Sequence, residues 1–257
     1  MTDYARLVPE IVHIARRAGS EILKHYAGDF AVARKTDDSP VTVADGAAEA
    51  IILDALRRLT PEIPTVAEEE VAAGIVTDIA GGRFWLVDPL DGTKEFVKRN
   101  GEFTVNIGLI AGDTPALGVI HVPVTGLTYA GAGPGSAFLE DAGGKRTPIA
   151  CRAAPPEGLT VIASRSHPSP RLDALLAQYQ VMEIKRSGSA VKFCILAAGE
   201  ADLYPRFGRT MEWDTAAGHA IVEAAGGSMT ELDGSKFRYG KRGFENPGFI
   251  ARGRPPG

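Results

Sequence analysis

The sequence has little of what secreted, membrane-spanning or thiolate-metal proteins require. Two cysteines occur in 257 residues; Cys151 and Cys194 match no metal-ligand spacing and are too few for a disulfide framework. No run approaches the ~20 apolar residues that cross a bilayer, and the amino terminus lacks the basic-then-apolar order of a signal peptide. We therefore expect a cytoplasmic protein that does not insert into membranes.

An excess of positive charge is also missing. The formal net charge is -4, and the hydrophobic and charged fractions of 44% and 23% are typical of a soluble globular protein. This balance argues against binding to nucleic-acid polymers, which requires a broad basic surface. A small anionic substrate stays possible, because metal ions and local cations can reverse the field inside one cleft.

The first part of the chain combines helical and strand-like patterns. Apolar residues recur at helical spacing over 3–26 and 44–59. From Phe103 to Ile149, short apolar segments alternate with glycine- and proline-containing turns, which predicts an antiparallel meander. We therefore predict an α+β domain over residues 1–154.

After Pro155-Pro156 the pattern changes. Predicted strands near 159–163, 181–184 and 201–204 alternate with predicted helices, which indicates an α/β domain over residues 155–257. Residues 252–257 resemble a loose tail.

The most informative segment is an apolar strand that runs into two carboxylates, a glycine and a hydroxyl: Asp88, Asp91, Gly92 and Thr93. An Asp-Gly pair is a good turn signal, so a turn is one interpretation. The sequence after Thr93 suits a short helix instead, whose free N–H groups favour a bound phosphate. Local spacing leaves the turn and the phosphate site open.

Further acids lie at the ends of predicted elements. Asp45 and Asp214 stand at helix starts, where each could be a simple cap, and Glu68 to Glu70 follow a strand, where they could be a solvated charge run. If these ends converge, two carboxylates ~5 Å apart repel by roughly 3 kcal/mol at an effective dielectric of 20. All-oxygen ligands favour Mg²⁺ or Mn²⁺ over zinc, and such ions support phosphoryl transfer.

Two motifs carry a family resemblance. The segment Asp88-Pro89-Leu90-Asp91-Gly92-Thr93 and the segment Trp213-Asp214-Thr215-Ala216-Ala217-Gly218 resemble the two signatures of the inositol monophosphatase superfamily, which are Mg²⁺-dependent, lithium-sensitive phosphatases. The resemblance covers nearly the whole chain. It implies a layered αβαβα sandwich with the active site between the two halves.

The resemblance also implies a metal site with two Mg²⁺ ions, which Mn²⁺ can replace. Carried over by position, Glu68, Asp88 and the carbonyl of Leu90 would hold one ion. Asp88, Asp91 and Asp214 would hold the second.

The same resemblance implies the catalytic roles. Thr93, hydrogen-bonded to Asp45, would orient and help deprotonate the attacking water, while Gly92 and Thr93 would bind the phosphate. Glu69 and Asp37 are the candidates for a third, labile ion. The implied catalytic set is Asp45, Glu68, Asp91 and Thr93.

Within the superfamily the chain is most similar to the CysQ-type 3'(2'),5'-bisphosphate nucleotidases, through the passages 94–107, 187–194 and 203–208. Inositol enzymes tend to place an amide and an acid where this chain has Lys192 and Arg206. A substrate that keeps a second phosphate needs such cations, because charge-assisted hydrogen bonds discriminate strongly. The implied substrate-binding set is Asp91, Gly92, Thr93, Lys94, Ser187, Gly188, Ser189, Lys192, Arg206 and Asp214.

These substrate contacts have structural alternatives. Lys192 could be a surface helix residue, Arg206 a strand-end charge, and 187–189 a helix cap. The resemblance implies removal of the 3'-phosphate from adenosine 3',5'-bisphosphate, with 3'-phosphoadenylyl sulfate as a related substrate, in sulfate assimilation. An inositol or sugar phosphatase, or a non-catalytic phosphonucleotide sensor, is the alternative. A homodimer and a monomer both stay open.

Overall fold

The computed structural model describes residues 4–28, 32–34, 40–165 and 170–254. The prediction for Asp37 lies outside these residues. The α-helices α1 to α7 are Val8–Ala27, Val43–Leu59, Glu68–Ala72, Thr93–Val97, Pro170–Leu176, Val191–Ala197 and Glu212–Ala224. The strands β1 to β16 are Val32–Arg34, Pro40–Thr42, Thr65–Ala67, Arg83–Asp91, Thr104–Ala111, Thr114–Val122, Leu127–Gly131, Phe138–Glu140, Arg146–Pro148, Leu159–Ser164, Val181–Ser187, Leu203–Arg206, Thr210–Met211, Ser228–Glu231, Glu245–Asn246 and Phe249–Arg252.

Two large sheets and three helical layers alternate, and two further pairs of strands, β1-β2 and β13-β15, form small sheets. A seven-stranded sheet has the order β3-β4-β5-β6-β7-β8-β9, and a five-stranded sheet has the order β11-β10-β12-β16-β14. Helices α1 and α2 cover the outer face of the first sheet, α6 and α7 lie between the sheets, and α5 packs on the outer face of the second. The predicted αβαβα sandwich is confirmed.

Strand β4 shows why the first sheet is covered on both faces. Successive side chains of a strand point to opposite faces. Phe84 and Leu86 belong to the core between the sheets, whereas Trp85 and Val87 belong to the core beneath α1 and α2. All four are fully buried, so this strand reads as a continuous apolar run.

Helix α7 lies unusually close to the first sheet. A Cβ added at Gly118 of β6 would lie 2.1 Å from the carbonyl oxygen of Ala217, so a side chain at this position would push the helix away. A helix from the second half of the sequence is therefore packed directly on the sheet of the first half. The boundary after residue 154 stays a prediction.

The strand patterns were predicted with mixed success. The antiparallel meander is present from β5 to β9, and β10 is parallel to both β11 and β12. The prediction of a loose tail from residue 252 is wrong for residues 252–254. β16 pairs with both β12 and β14, and Arg254 Nε donates to the carbonyl of Cys151 at 2.7 Å.

The two cysteines are buried free thiols, and Cys194 lies in the core on α6. Among the described residues, none of the helices combines the length and apolar character needed to cross a bilayer.

Candidate metal and phosphate site

A bulge in β4 brings two carboxylates to one face of the sheet. Residues three apart on a regular strand point to opposite faces. Here Asp88 is opposite Asn106 and Asp91 is opposite Thr104, so β4 contains one more residue than β5 between the same two pairs. Asp91 therefore points to the same side as Asp88, towards α6 and α7, a rearrangement that was not predicted.

An acidic cluster forms where three elements meet. Glu68 begins α3 directly after β3, Asp88 lies in β4, and Asp214 lies in the first turn of α7. One carboxylate oxygen of each lies within 4.8 Å of the others. We call these three residues the acidic cluster. The convergence inferred from the sequence is present, and Asp91 lies beside the cluster rather than in it.

Neither Asp45 nor Asp214 is the N-cap of its helix, contrary to the simple alternative; each is the third helical residue, and its carboxylate accepts from the amide of the N-cap residue, Thr42 or Met211. Asp45 Oδ2 accepts from the amide and hydroxyl of Thr42, and Asp214 Oδ2 accepts from the amide of Met211 at 2.8 Å. Each nevertheless serves a second purpose. Asp45 Oδ1 accepts a 3.4 Å hydrogen bond from Thr93 Oγ1, and Asp214 belongs to the acidic cluster.

The turn that follows β4 requires glycine. Gly92 has φ +92°, and an added Cβ would lie 3.0 Å from the Cβ of Ser189 and 3.1 Å from the carbonyl oxygen of Glu102. Helix α4 begins at Thr93, as expected, so the Asp-Gly pair does not form a hairpin. Thr93 Oγ1 also contacts the carbonyl oxygen of Leu90 at 3.3 Å.

The neighbouring carboxylates destabilise one another's ionised forms. Burial raises the pKa of Asp214 well above its usual value, and the charges of Asp91 and Glu68 raise it further. Burial raises the pKa of Asp91 to about 6, although Lys192 and the amide of Ala190 act in the opposite direction. A bound cation would relieve this strain.

The donor set fits a hard divalent cation. All side-chain ligand atoms of the acidic cluster are carboxylate oxygens, the ligands that Mg²⁺ and Mn²⁺ prefer. The carbonyl of Leu90 lies in the same turn, and Asp88 Oδ1 accepts from the amide of Leu90 at 3.0 Å, which fixes that turn.

Two cations lie near these carboxylates: Lys192 acts on Asp91, and Arg206 acts on Asp214. Lys192 is buried in α6, where burial lowers its pKa to about 8 against the attraction of Asp91, and its Nζ lies 5.5 Å from the centre of the Tyr204 ring. Arg206 ends β12, and its buried Nε has no hydrogen-bond partner among the described residues. We call these two residues the cationic pair. Lys192 is thus not a surface residue.

A cleft of about 240 Å³ joins the acidic cluster and the cationic pair. Nearly all of the predicted substrate residues line it, Lys94 included. Ser187 does not; it is buried at the end of β11, and its hydroxyl contacts the carbonyl of Gly188 at 3.4 Å. Ser189, with φ +41°, faces the cleft.

Sequence reasoning missed two carboxylates behind the site. Glu102 accepts from the amide of Gly188 at 2.7 Å and from Arg165, and so holds the segment 187–189, which we call the serine loop. Glu49 accepts from two amides at the start of α3. Its position four residues after Asp45 was the one available signal, because that spacing places both on one helix face.

Comparison with known proteins agrees with this geometry. The model of the inositol monophosphatase family matches residues 3–252. Over 246 residues the chain is 47% identical to the 3'(2'),5'-bisphosphate nucleotidase CysQ of Salmonella typhimurium, covering 95% of this chain and 98% of that protein. It is 42% identical over 253 residues to the protein of the same name from Buchnera aphidicola, covering 96% and 94%.

Solved structures of related proteins also resemble this chain. The structure of CysQ from Bacteroides thetaiotaomicron, described as a bacterial member of the inositol monophosphatase family, matches with a TM-score of 0.80 and 36% identity, covering 95% of each chain. An inositol monophosphatase from Anabaena matches with a TM-score of 0.75 and 25% identity, covering 98% and 92%.

Proposed function

The chain belongs to the inositol monophosphatase family, and from this premise we propose that it hydrolyses the 3'-phosphate of adenosine 3',5'-bisphosphate to AMP and phosphate. 3'-Phosphoadenylyl sulfate is the related substrate, and the reaction clears a by-product of sulfate assimilation. The name shared by the relatives at 47% and 42% identity supports this substrate class.

The observation that carries the choice of substrate is the cationic pair beside the acidic cluster. A bisphosphate keeps one phosphate after the other is removed, and that remaining dianion needs cationic donors. Lys192 is buried within the cleft, and Arg206 Nε is buried without a partner among the described residues. Burying such donors is costly unless an anion pairs with them.

The residues of the chain divide the remaining work. The acidic cluster, Asp91 and the carbonyl of Leu90 would hold the metal. The amides of Gly92 and Thr93 bind the phosphate that is removed, and the hydrogen bond from Thr93 to Asp45 allows the pair to orient the attacking water and accept its proton. When bound, divalent cations supply charge neutralisation and lower the pKa of coordinated water.

We propose two Mg²⁺ ions, with Mn²⁺ as a substitute. The first would use Glu68, Asp88 and Leu90, and the second Asp88, Asp91 and Asp214. The all-oxygen donor set and the raised pKa values of Asp91 and Asp214 support cation binding. Glu69 stays a candidate for a third ion.

The alternatives are less well supported. An inositol or sugar phosphatase would share the acidic cluster, but the curated relatives described above carry the nucleotidase name. A non-catalytic sensor would not need the pair of Thr93 and Asp45. A single-turnover assay with excess Mg²⁺ separates the sensor, which would bind the bisphosphate without releasing phosphate.

A kinetic panel tests the proposed substrate. We expect kcat/KM for adenosine 3',5'-bisphosphate to exceed that for inositol 1-phosphate and fructose 1,6-bisphosphate by more than about tenfold, a difference of roughly 1.4 kcal/mol. Fructose 1,6-bisphosphate is the matched control, because it also carries two phosphates. The assignment is wrong if either control substrate is preferred tenfold.

Three sequence-based expectations stay proposals. A cytoplasmic location is supported by two buried thiols that form no disulfide.

A homodimer is tested by light scattering of the purified protein, where a monomer mass would refute it. The boundary between residues 154 and 155 is tested by limited proteolysis.

A further inference from the structure

Helix α2 presents two buried carboxylates one turn apart. Asp45 and Glu49 are 2% and 5% exposed, and residues at i and i+4 share one face of a helix. Asp45 contacts Thr93, which the proposed reaction uses. Glu49 has no role in that reaction. No cation among residues 4–28, 32–34, 40–165 and 170–254 pairs with it, and burying a carboxylate is costly unless hydrogen bonds satisfy it.

The oxygens of Glu49 cap another helix. Oε2 accepts from the amide of Glu69 at 2.9 Å, and Oε1 accepts from the amide of Glu70 at 3.0 Å. These amides belong to the first turn of α3, where a helix has no internal acceptors for its N–H groups. The residue that precedes α3 is Ala67, whose side chain cannot accept a hydrogen bond. Glu49 therefore supplies the cap that the local sequence lacks.

Helix α3 depends on such support because it contains five residues. An isolated helix of this length is not stable in water. Its first residue is Glu68, a member of the acidic cluster. On one side Glu68 follows Ala67, which pairs with Val87 in the first sheet; on the other side it precedes the two amides that Glu49 holds.

We propose that Glu49 is a positioning residue that fixes the backbone of α3, so that the Glu68 carboxylate is held in place for a divalent cation. This inference rests on the proposed metal role of Glu68. Removing a residue that supports a metal ligand typically weakens metal binding by about 10- to 100-fold. Glu49 acts through the backbone of the segment that carries the ligand, not through the ligand side chain.

Direct Mn²⁺ binding to the purified, metal-depleted protein tests the proposal, with free Mn²⁺ measured by electron paramagnetic resonance. In Glu49→Gln the side-chain amide group presents a donor to one of the two N–H groups, so one hydrogen bond becomes a repulsion. We expect the Kd for Mn²⁺ to rise about tenfold. The Mg²⁺ concentration for half-maximal activity should rise in parallel, while kcat at saturating Mg²⁺ stays within about threefold of wild type.

The chain offers two matched controls. Arg57 of α2 also contacts α3, through a 2.6 Å ion pair with Glu70 in which the Arg57 side chain is 61% exposed; Arg57→Gln should change the Kd by less than about twofold. Asp202, in the second half of the sequence, has a buried carboxylate that accepts hydrogen bonds from Arg152 and from the amide of Thr160. Asp202→Asn should lower stability without weakening Mn²⁺ binding.

Glu49→Asp provides a second variant if Glu49→Gln folds poorly. It keeps the charge but shortens the reach by one methylene, and it should weaken Mn²⁺ binding in the same direction. Wild-type affinity in a folded Glu49 variant would overturn the inference. If the wild-type protein itself binds no Mn²⁺, the proposed metal site fails first, and this result is distinct from an unchanged variant.

Discussion

The acidic cluster and the cationic pair adjoin one another but are built in different ways. The acidic cluster is assembled from the first turns of two helices, α3 and α7, and from strand β4, and its members repel one another. The cationic pair lies in the second half of the chain, in α6 and at the end of β12, and its members also repel, since Arg206 further lowers the pKa of Lys192.

This difference in charge suggests different roles for the two groups of residues, one in the hydrolysis reaction and the other in the choice of substrate. Carboxylates that repel one another are stabilised by a bound cation, and that cation can contact the phosphate of any phosphate ester. Lys192 already faces Asp91, but the buried Nε of Arg206 has no partner among the described residues, and a monophosphate held at the acidic cluster leaves it unpaired. We therefore propose that the acidic cluster supports hydrolysis and that the cationic pair selects a bisphosphate.

The largest effect is expected at the acidic cluster. Asp88→Asn keeps the size of the side chain and an oxygen for the amide of Leu90, but it removes a charge from the metal site. We expect kcat/KM to fall by about a thousandfold for every phosphate ester, a loss of roughly 4 kcal/mol of transition-state stabilisation. Steady-state assays with two esters check this.

The same variant has an expected effect on stability. Without metal, Asp88→Asn removes one of three mutually repelling groups, so its free energy of unfolding should equal or exceed that of wild type in urea. A large loss of stability would mean that Asp88 has a structural rather than a metal-binding role.

The next largest effect is expected at Thr93 and Asp45, the residues proposed to orient the attacking water. Thr93→Val removes the hydroxyl that contacts Asp45, and we expect kcat to fall by about 100-fold, with metal affinity unchanged. Thr42→Val is the control, because Thr42 also contacts Asp45 but caps α2. It should cost about 1 kcal/mol of stability and less activity; equal losses of kcat would refute the role of Thr93.

A selective effect is expected at the cationic pair. Arg206→Glu should lower kcat/KM for the bisphosphate at least about tenfold more than for a monophosphate, because it places a negative charge against the remaining phosphate. Arg209→Glu is the control: Arg209 also lines the cleft but forms a 3.2 Å ion pair with Glu245. Equal losses for both substrates would remove Arg206 from substrate selection.

The smallest effect is expected behind the serine loop. Glu102→Gln weakens the hold on Gly188 and should raise KM for the bisphosphate by about threefold with little change in kcat. Arg165→Gln should do less, because its ion pair with Glu102 is half exposed. A large fall in kcat in either variant would contradict a role limited to the loop.

The sequence predicted the parts of this site that local patterns define. Asp88, Asp214 and Glu68 each stand where an apolar element ends, and such ends meet at one edge of a layered fold. The short helix that follows Gly92 was also predicted, because the sequence after Thr93 suits a helix.

Other parts depend on contacts between distant residues. The bulge in β4 is defined by its register with β5, and its one local signal is Pro89, because proline inside a strand paired on both sides is confined to bulges. Glu49 and Glu102 bind amides 20 and 86 residues away, so their partners cannot be read from neighbouring sequence. Strand β16 is four residues long and was missed because its stability comes from pairing on both sides.

The most direct test of the division between hydrolysis and selection is the ratio of kcat/KM for adenosine 3',5'-bisphosphate to that for 3'-AMP, which carries the same reacting phosphate and lacks the other. We predict that wild type prefers the bisphosphate and that the Lys192→Gln/Arg206→Gln double variant brings the ratio down by about 100-fold, with Mn²⁺ affinity retained. An unchanged ratio in the double variant, with both substrates losing activity equally, would contradict the account.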